Sequence, residues 1–139
     1  MYRLNLLLIL CFFGVALVGC KQPVTYEYCN EIATTDVVLV AVTLDRGESF
    51  EGRLEIWEAS KAHPREQGSQ EGKLVFYVVD PNEIKVIDAG LIEGIYEFDF
   101  AAKVPGYYLL VFDDAYGPCI VQMHHNHDGT LEYWLVPYQ

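Results

Sequence analysis

The chain opens with an apolar run from Leu6 to Val18, interrupted by Gly14. After residue 35 the pattern changes to short β-prone runs separated by turn residues. Val37 to Leu44 is almost wholly apolar, as for a strand covered on both faces. From Gly47 to Glu58 the residues alternate: Phe50, Leu54 and Ile56 take one face, Glu51, Arg53 and Glu55 the other. That is the period of a half-buried strand, with Trp57 on its polar side. Residues 60–72 are polar and contain Pro64, Gly68 and Gly72, which read as an exposed loop with no helix. Leu74 to Val79 predicts a strand stopped by the turn signature Asp80-Pro81-Asn82, and Ile84 to Asp88 a short one. Tyr96, Phe98 and Phe100 alternate with Glu97 and Asp99. Pro105-Gly106 then turns the chain, and Tyr108, Leu110 and Phe112 form the inner face of the next strand. Ile120 to His124 and Leu131 to Val136 flank Asn126-His127-Asp128-Gly129, predicting a terminal hairpin. About eight strands at regular spacing, with no helical period, argue for an all-β fold, an antiparallel β-sandwich over residues 35–139.

The apolar run has its own meaning. Arg3 precedes it and Leu17-Val18-Gly19-Cys20 ends it. A positive start, an apolar core and small residues at the exit describe an export signal. The run is short for a membrane span, which needs ~20 apolar residues. Its ending resembles the lipobox of bacterial lipoproteins, in which the cysteine is acylated and becomes the first mature residue. Residues 1–19 then read as a lipoprotein signal peptide, and residues 20–34, beginning Cys20-Lys21-Gln22-Pro23, as a lipidated tether. Several acyl chains on Cys20 would hold the domain firmly at a cell membrane or outer membrane, facing the periplasm or the exterior.

Charge narrows the partners. Removing residues 1–19 takes away Arg3 and no acid, leaving eight basic residues against twenty acidic ones, a net charge of −12. Such a chain repels nucleic acid backbones and lacks the basic patch that binds anionic lipid. With Cys11 in the signal and Cys20 assigned to lipid, Cys29 and Cys119 remain. An even pair outside the cytoplasm suggests a disulfide, with a chain-entropy stabilisation of ~4–5 kcal/mol, set against two free buried thiols.

Four motifs in order carry a family likeness: Gly47-Glu48-Ser49-Phe50-Glu51-Gly52, Phe76-Tyr77-Val78-Val79-Asp80-Pro81-Asn82, Tyr96-Glu97-Phe98-Asp99-Phe100-Ala101-Ala102, and Gly106-Tyr107-Tyr108-Leu109-Leu110-Val111-Phe112-Asp113-Asp114. Their succession resembles the GOLD domain (emp24/p24-like) across roughly residues 36–138. The resemblance implies a β-sandwich outside a membrane and non-catalytic recognition of proteins or lipids. Eukaryotic members carry a transmembrane helix and act as cargo receptors. Here Cys20 would replace that span as the anchor, and Asp114 stands where the family often has Asn after Phe-Asp.

Three constellations could bind small ligands. His124, His125 and His127, with Asp128, offer imidazole and carboxylate for Zn, Cu or Ni, set against a plain turn at a hairpin tip. Asp80, Asp113 and Asp114 sit at strand ends, where loop carboxylates could gather Ca²⁺ or simply make turns. Trp57, Tyr116 and Trp134 are aromatics of uncertain placement that could meet a glycan or a protein; for Trp134 the alternation favours the core. Catalytic signatures are thin: no serine lies in a Gly-x-Ser-x-Gly setting and no phosphate-binding glycine loop occurs. The sequence therefore predicts a lipid-anchored, non-catalytic domain that recognises an envelope or surface protein and needs no cofactor. The alternative is a module binding glycan or metal through sandwich-end loops.

Overall fold

In a computed structural model the described residues are 25–34, 36–59 and 70–136. The expected signal peptide over residues 1–19 and the expected lipid site at Cys20 lie outside them. Nine strands form: β1 (Tyr28–Thr34), β2 (Val37–Leu44), β3 (Ser49–Glu58), β4 (Lys73–Val79), β5 (Lys85–Glu93), β6 (Ile95–Ala101), β7 (Gly106–Asp113), β8 (Cys119–His125) and β9 (Leu131–Val136). They make two antiparallel sheets, a four-stranded one in the order β1-β8-β3-β6 and a five-stranded one in the order β5-β4-β7-β2-β9.

The alternation read from the sequence sets the two inner faces. Phe50, Leu54 and Ile56 of β3 and Phe98 and Phe100 of β6 are buried from one sheet. Val38, Val40, Val42 and Leu44 of β2, Leu74, Phe76 and Val78 of β4, and Tyr108, Leu110 and Phe112 of β7 are buried from the other. Aromatic rings tie the layers together. Phe76 lies 5.0 Å from Phe98 and 5.2 Å from Phe112, and Phe100 lies 5.5 Å from Tyr108. Each such ring, fully buried, contributes ~1.5–3 kcal/mol through apolar area alone. Gly52 of β3 stands opposite Phe98 of β6. A Cβ at Gly52 would come within 2.6 Å of the Phe98 ring, so the bare backbone here is what lets that ring lie flat across the strand pair.

Two features depart from the sequence expectation. Residues 28–34, assigned to the tether, form β1, which runs beside β8 from Tyr28↔His125 to Thr34↔Cys119. The expected hairpin of β8 with β9 does not form. β8 is flanked by β1 and β3, so both of its edges are taken, and β9 crosses to the other sheet and pairs with β2. The missed strand is thus the reason the hairpin is absent. β2 is covered less evenly than expected, with Val37 and Leu39 partly buried and Thr43 exposed on its outer side.

The sandwich is closed along one side and open along the other. At the closed side β5 passes into β6 through Gly94, whose φ of 70° is the left-handed backbone that glycine adopts freely. The Gly94 N–H donates to Gly72 O at 3.2 Å and its carbonyl accepts from Ile56 N–H at 2.7 Å, stitching the crossing to β3. At the open side the edge strands are β1 and β9, one from each sheet.

Candidate protein-recognition edge

The open side begins with a clasp between the start of β1 and the β8–β9 connection. The Asn126 side chain accepts from Glu27 N–H at 2.8 Å and donates to Thr25 O at 3.1 Å. The Tyr28 hydroxyl donates to Asp128 Oδ1 at 2.8 Å, and this bond to a carboxylate pushes the phenol pKa up. His125 completes it. Its Nδ1 accepts from His127 N–H at 3.1 Å, so the other nitrogen carries the proton and Nε2 donates to Asn30 Oδ1 at 2.6 Å. The ring is buried between Phe50 and Tyr28, each 5.5 Å away, and burial pushes its pKa below the ordinary value.

That geometry answers the metal expectation. His124 and His125 are successive strand residues and face opposite sides of the sheet. His124 points outward beside Glu55, at 3.5 Å, and Tyr26, with ring centroids 6.3 Å apart. His125 has both ring nitrogens engaged, and the His127 ring lies against Phe50 at 5.9 Å. Among the described residues no three potential ligands of this kind converge. The carboxylates do not gather either. Asp80 caps its own turn, accepting from Asn82 N–H and Ile84 N–H, both at 2.9 Å. It follows Val79, which pairs with Leu109, whereas Asp113 pairs with Val75. Asp80 and the Asp113–Asp114 pair therefore lie at opposite ends of β4 and β7. Asp114 is buried and its carbonyl accepts from Gly117 N–H at 2.8 Å. Tyr116 is exposed in that same turn. Trp57 lies on the outer face of the four-stranded sheet beside Ile120, its buried indole N–H without a hydrogen-bond partner among the described residues.

The expected disulfide is also corrected. Cys29 pairs with His124 and Cys119 with Thr34, five strand positions apart along β1 and β8. At ~3.4 Å per residue the separation is roughly 17 Å, against a limit of about 7 Å between bridged Cα atoms. Cys29 is an exposed thiol on the outer face. Cys119 is a buried one, its Sγ donating to Lys73 O at 3.2 Å while its backbone exchanges two hydrogen bonds with Thr34 Oγ1.

What the open side does gather is apolar surface. β9 carries Tyr133, Trp134, Leu135 and Val136, all exposed, with Leu135 at 68 %. The sequence expectation of a core Trp134 fails here. Its register partner is Leu39, on the outer face of the five-stranded sheet, and 42 % of it remains accessible. Tyr133 and Leu135 pair with Val40 and Val38, so they point toward the inner layer, yet they too stay half open. A cleft of about 330 Å³ separates β9 from β1, lined on its two walls by Tyr133 and Leu131 and by Tyr28 and Asn30. The one sequence signal for this surface was four consecutive apolar residues in the last strand, which can be placed correctly only once the strand is known to be an edge.

No protein-family model matches the sequence, and no curated protein is detectably similar to it.

Proposed function

We propose that this chain is an exported lipoprotein, acylated on Cys20, whose sandwich recognises another envelope or surface protein without catalysis. One observation carries the reading: an edge strand, β9, exposes four consecutive apolar side chains beside an open cleft. Patches of this kind on a folded domain mark protein or membrane contacts. The chain's net charge of −11 disfavours an anionic lipid surface, which leaves a protein as the better-matched partner. The order of motifs that resembles the GOLD domain is compatible with this reading, since the resemblance implies non-catalytic recognition of proteins or lipids outside a membrane. The glycan alternative finds less support: Trp57 and Tyr116 are not joined in one cleft with converging polar groups.

The experiment is site-specific photo-crosslinking in the full-length chain within its own membrane. A photoreactive side chain at Leu135 should give one discrete adduct, and the same group at Val86, on the β5 edge, should give none. Silence at both positions, or equal labelling at both, overturns the reading.

A further inference from the structure

The β9 edge has features that specify its occupant. Among the described strands β9 pairs with β2 alone. In an antiparallel strand alternate residues turn both backbone groups away from the paired neighbour, so one side of β9 presents N–H and C=O groups that no strand among the described residues meets. Natural edge strands are guarded by lysine, proline, bulges or short length. The β5 edge has two register shifts against β4 and carries Lys85. The β6 edge carries Glu97 and Asp99, and β1 carries Glu31. β9 has Glu132 as its sole charge.

The surroundings of β9 are acidic. Glu48, Asp128 and Glu132 line one hollow at its start, and Glu27 joins Asp128 in the cleft toward β1. Neither lining contains lysine or arginine. Among the described residues none of these four acids is in a salt bridge. A second copy of this chain would bring another −11 of net charge to the same place, which works against self-pairing.

We infer that β9 accepts an extended strand from the partner, adding it to the five-stranded sheet, and that this strand alternates apolar with basic residues. Main-chain bonds to the free edge hold it. Its inward apolar side chains meet Tyr133 and Leu135; its outward lysines or arginines answer Glu132, Glu48 and Asp128 at the start of β9 and lay their stems over Trp134 and Val136 on the same face. This mode of strand addition takes affinity from the backbone and specificity from alternate side chains. The inference rests on the protein-recognition reading and adds to it the partner's shape and charge.

The test uses the full mature chain in nanodiscs and two synthetic peptides, one alternating Lys with Val and one alternating Glu with Val. Hydrogen exchange is read along the chain. The Lys peptide should bind and slow exchange at alternate amides of β9, the Glu peptide should not, and E48K/E132K should weaken the Lys peptide by about tenfold or more and admit the Glu peptide. Binding without β9 protection, equal binding of both peptides, or no binding overturns strand addition. Protection of β9 that rises with protein concentration alone overturns it in favour of a second copy. A Leu135 crosslink that persists through any of these failures leaves the broader protein-recognition reading standing.

Discussion

His125 Nε2 and Asn30 Oδ1 lie 2.6 Å apart, and that bond joins β8 to a strand the sequence pattern placed in a tether. The His125 ring is buried against Phe50, with the exposed Tyr28 over its other side, and an unsatisfied N–H on a buried ring is costly. Asn30→Ala should therefore lower stability by about 1–3 kcal/mol, leaving the imidazole N–H without an acceptor. Chemical denaturation measures it, and hydrogen exchange should show β1 as the region that loosens first.

The same ring gives a pH dependence with a definite sign. Burial holds the folded-state pKa of His125 below its ordinary value, while in the unfolded chain it titrates near 6.5. The contribution of the neutral ring is fully present above about pH 6.5 and is lost as pH falls from there through the lower folded-state pKa. A proton on Nδ1 would also face the N–H of His127, which that nitrogen now accepts. Stability measured between pH 8 and pH 5.5 should fall for the parent chain and fall less for His125→Asn. Equal slopes for the two would mean the ring is not the titrating group.

The alternation in β3 and β6 was legible because Glu51, Arg53 and Glu55, and Glu97 and Asp99, mark their outer faces, so period two survives in the sequence. β1 was not legible. Cys29, Glu31 and Ala33 alternate with Asn30, Ile32 and Thr34, and only Ile32 is a large buried apolar residue. Its inner face is satisfied by side-chain hydrogen bonds, Asn30 to His125 and Thr34 to Cys119, which no hydrophobic pattern reports. The errors that followed share this origin. Without β1, β8 has a vacant edge and the β8–β9 segment reads as a hairpin. Without the β1–β8 register, two cysteines distant in space read as a disulfide. The exposed apolar edge was hidden for a related reason, since an apolar strand reads the same whether central or at the margin.

The cysteines make a chemical prediction from that register. Cys29 should react with a maleimide in the native protein, while Cys119, buried against Lys73 O and with its thiol pKa pushed up chiefly by burial, should react only after unfolding. Peptide mapping by mass spectrometry distinguishes the two. Recovery of a linked Cys29–Cys119 peptide from native protein would contradict the strand pairing itself.

Gly52 offers a test of the core. Gly52→Ala places a methyl group 2.6 Å from the Phe98 ring, in a layer already closed by Phe50 and Phe76. The ring would have to leave its position over the strand, and overpacking of this kind costs about 1–3 kcal/mol. The paired change Gly52→Ala with Phe98→Leu should recover part of that loss, because the smaller side chain makes room for the methyl group.

The anchor proposed at Cys20 predicts a separation of fold from location. Thr25 and Glu27 are tied to Asn126, so a lipid on Cys20 would sit a few residues from a fixed end of the sandwich. That leaves about 3.3–3.6 Å of reach per residue between such a lipid and the clasped end. Cys20→Ser removes the acylation site and touches none of the described strands. The variant should keep the denaturation midpoint of the sandwich and leave the membrane fraction. It should also lose the Leu135 crosslink if the partner is membrane-held, while still protecting β9 with the Lys–Val peptide in solution. Retention of Cys20→Ser in the membrane fraction after a salt wash would show that something other than a lipid on this cysteine holds the protein there.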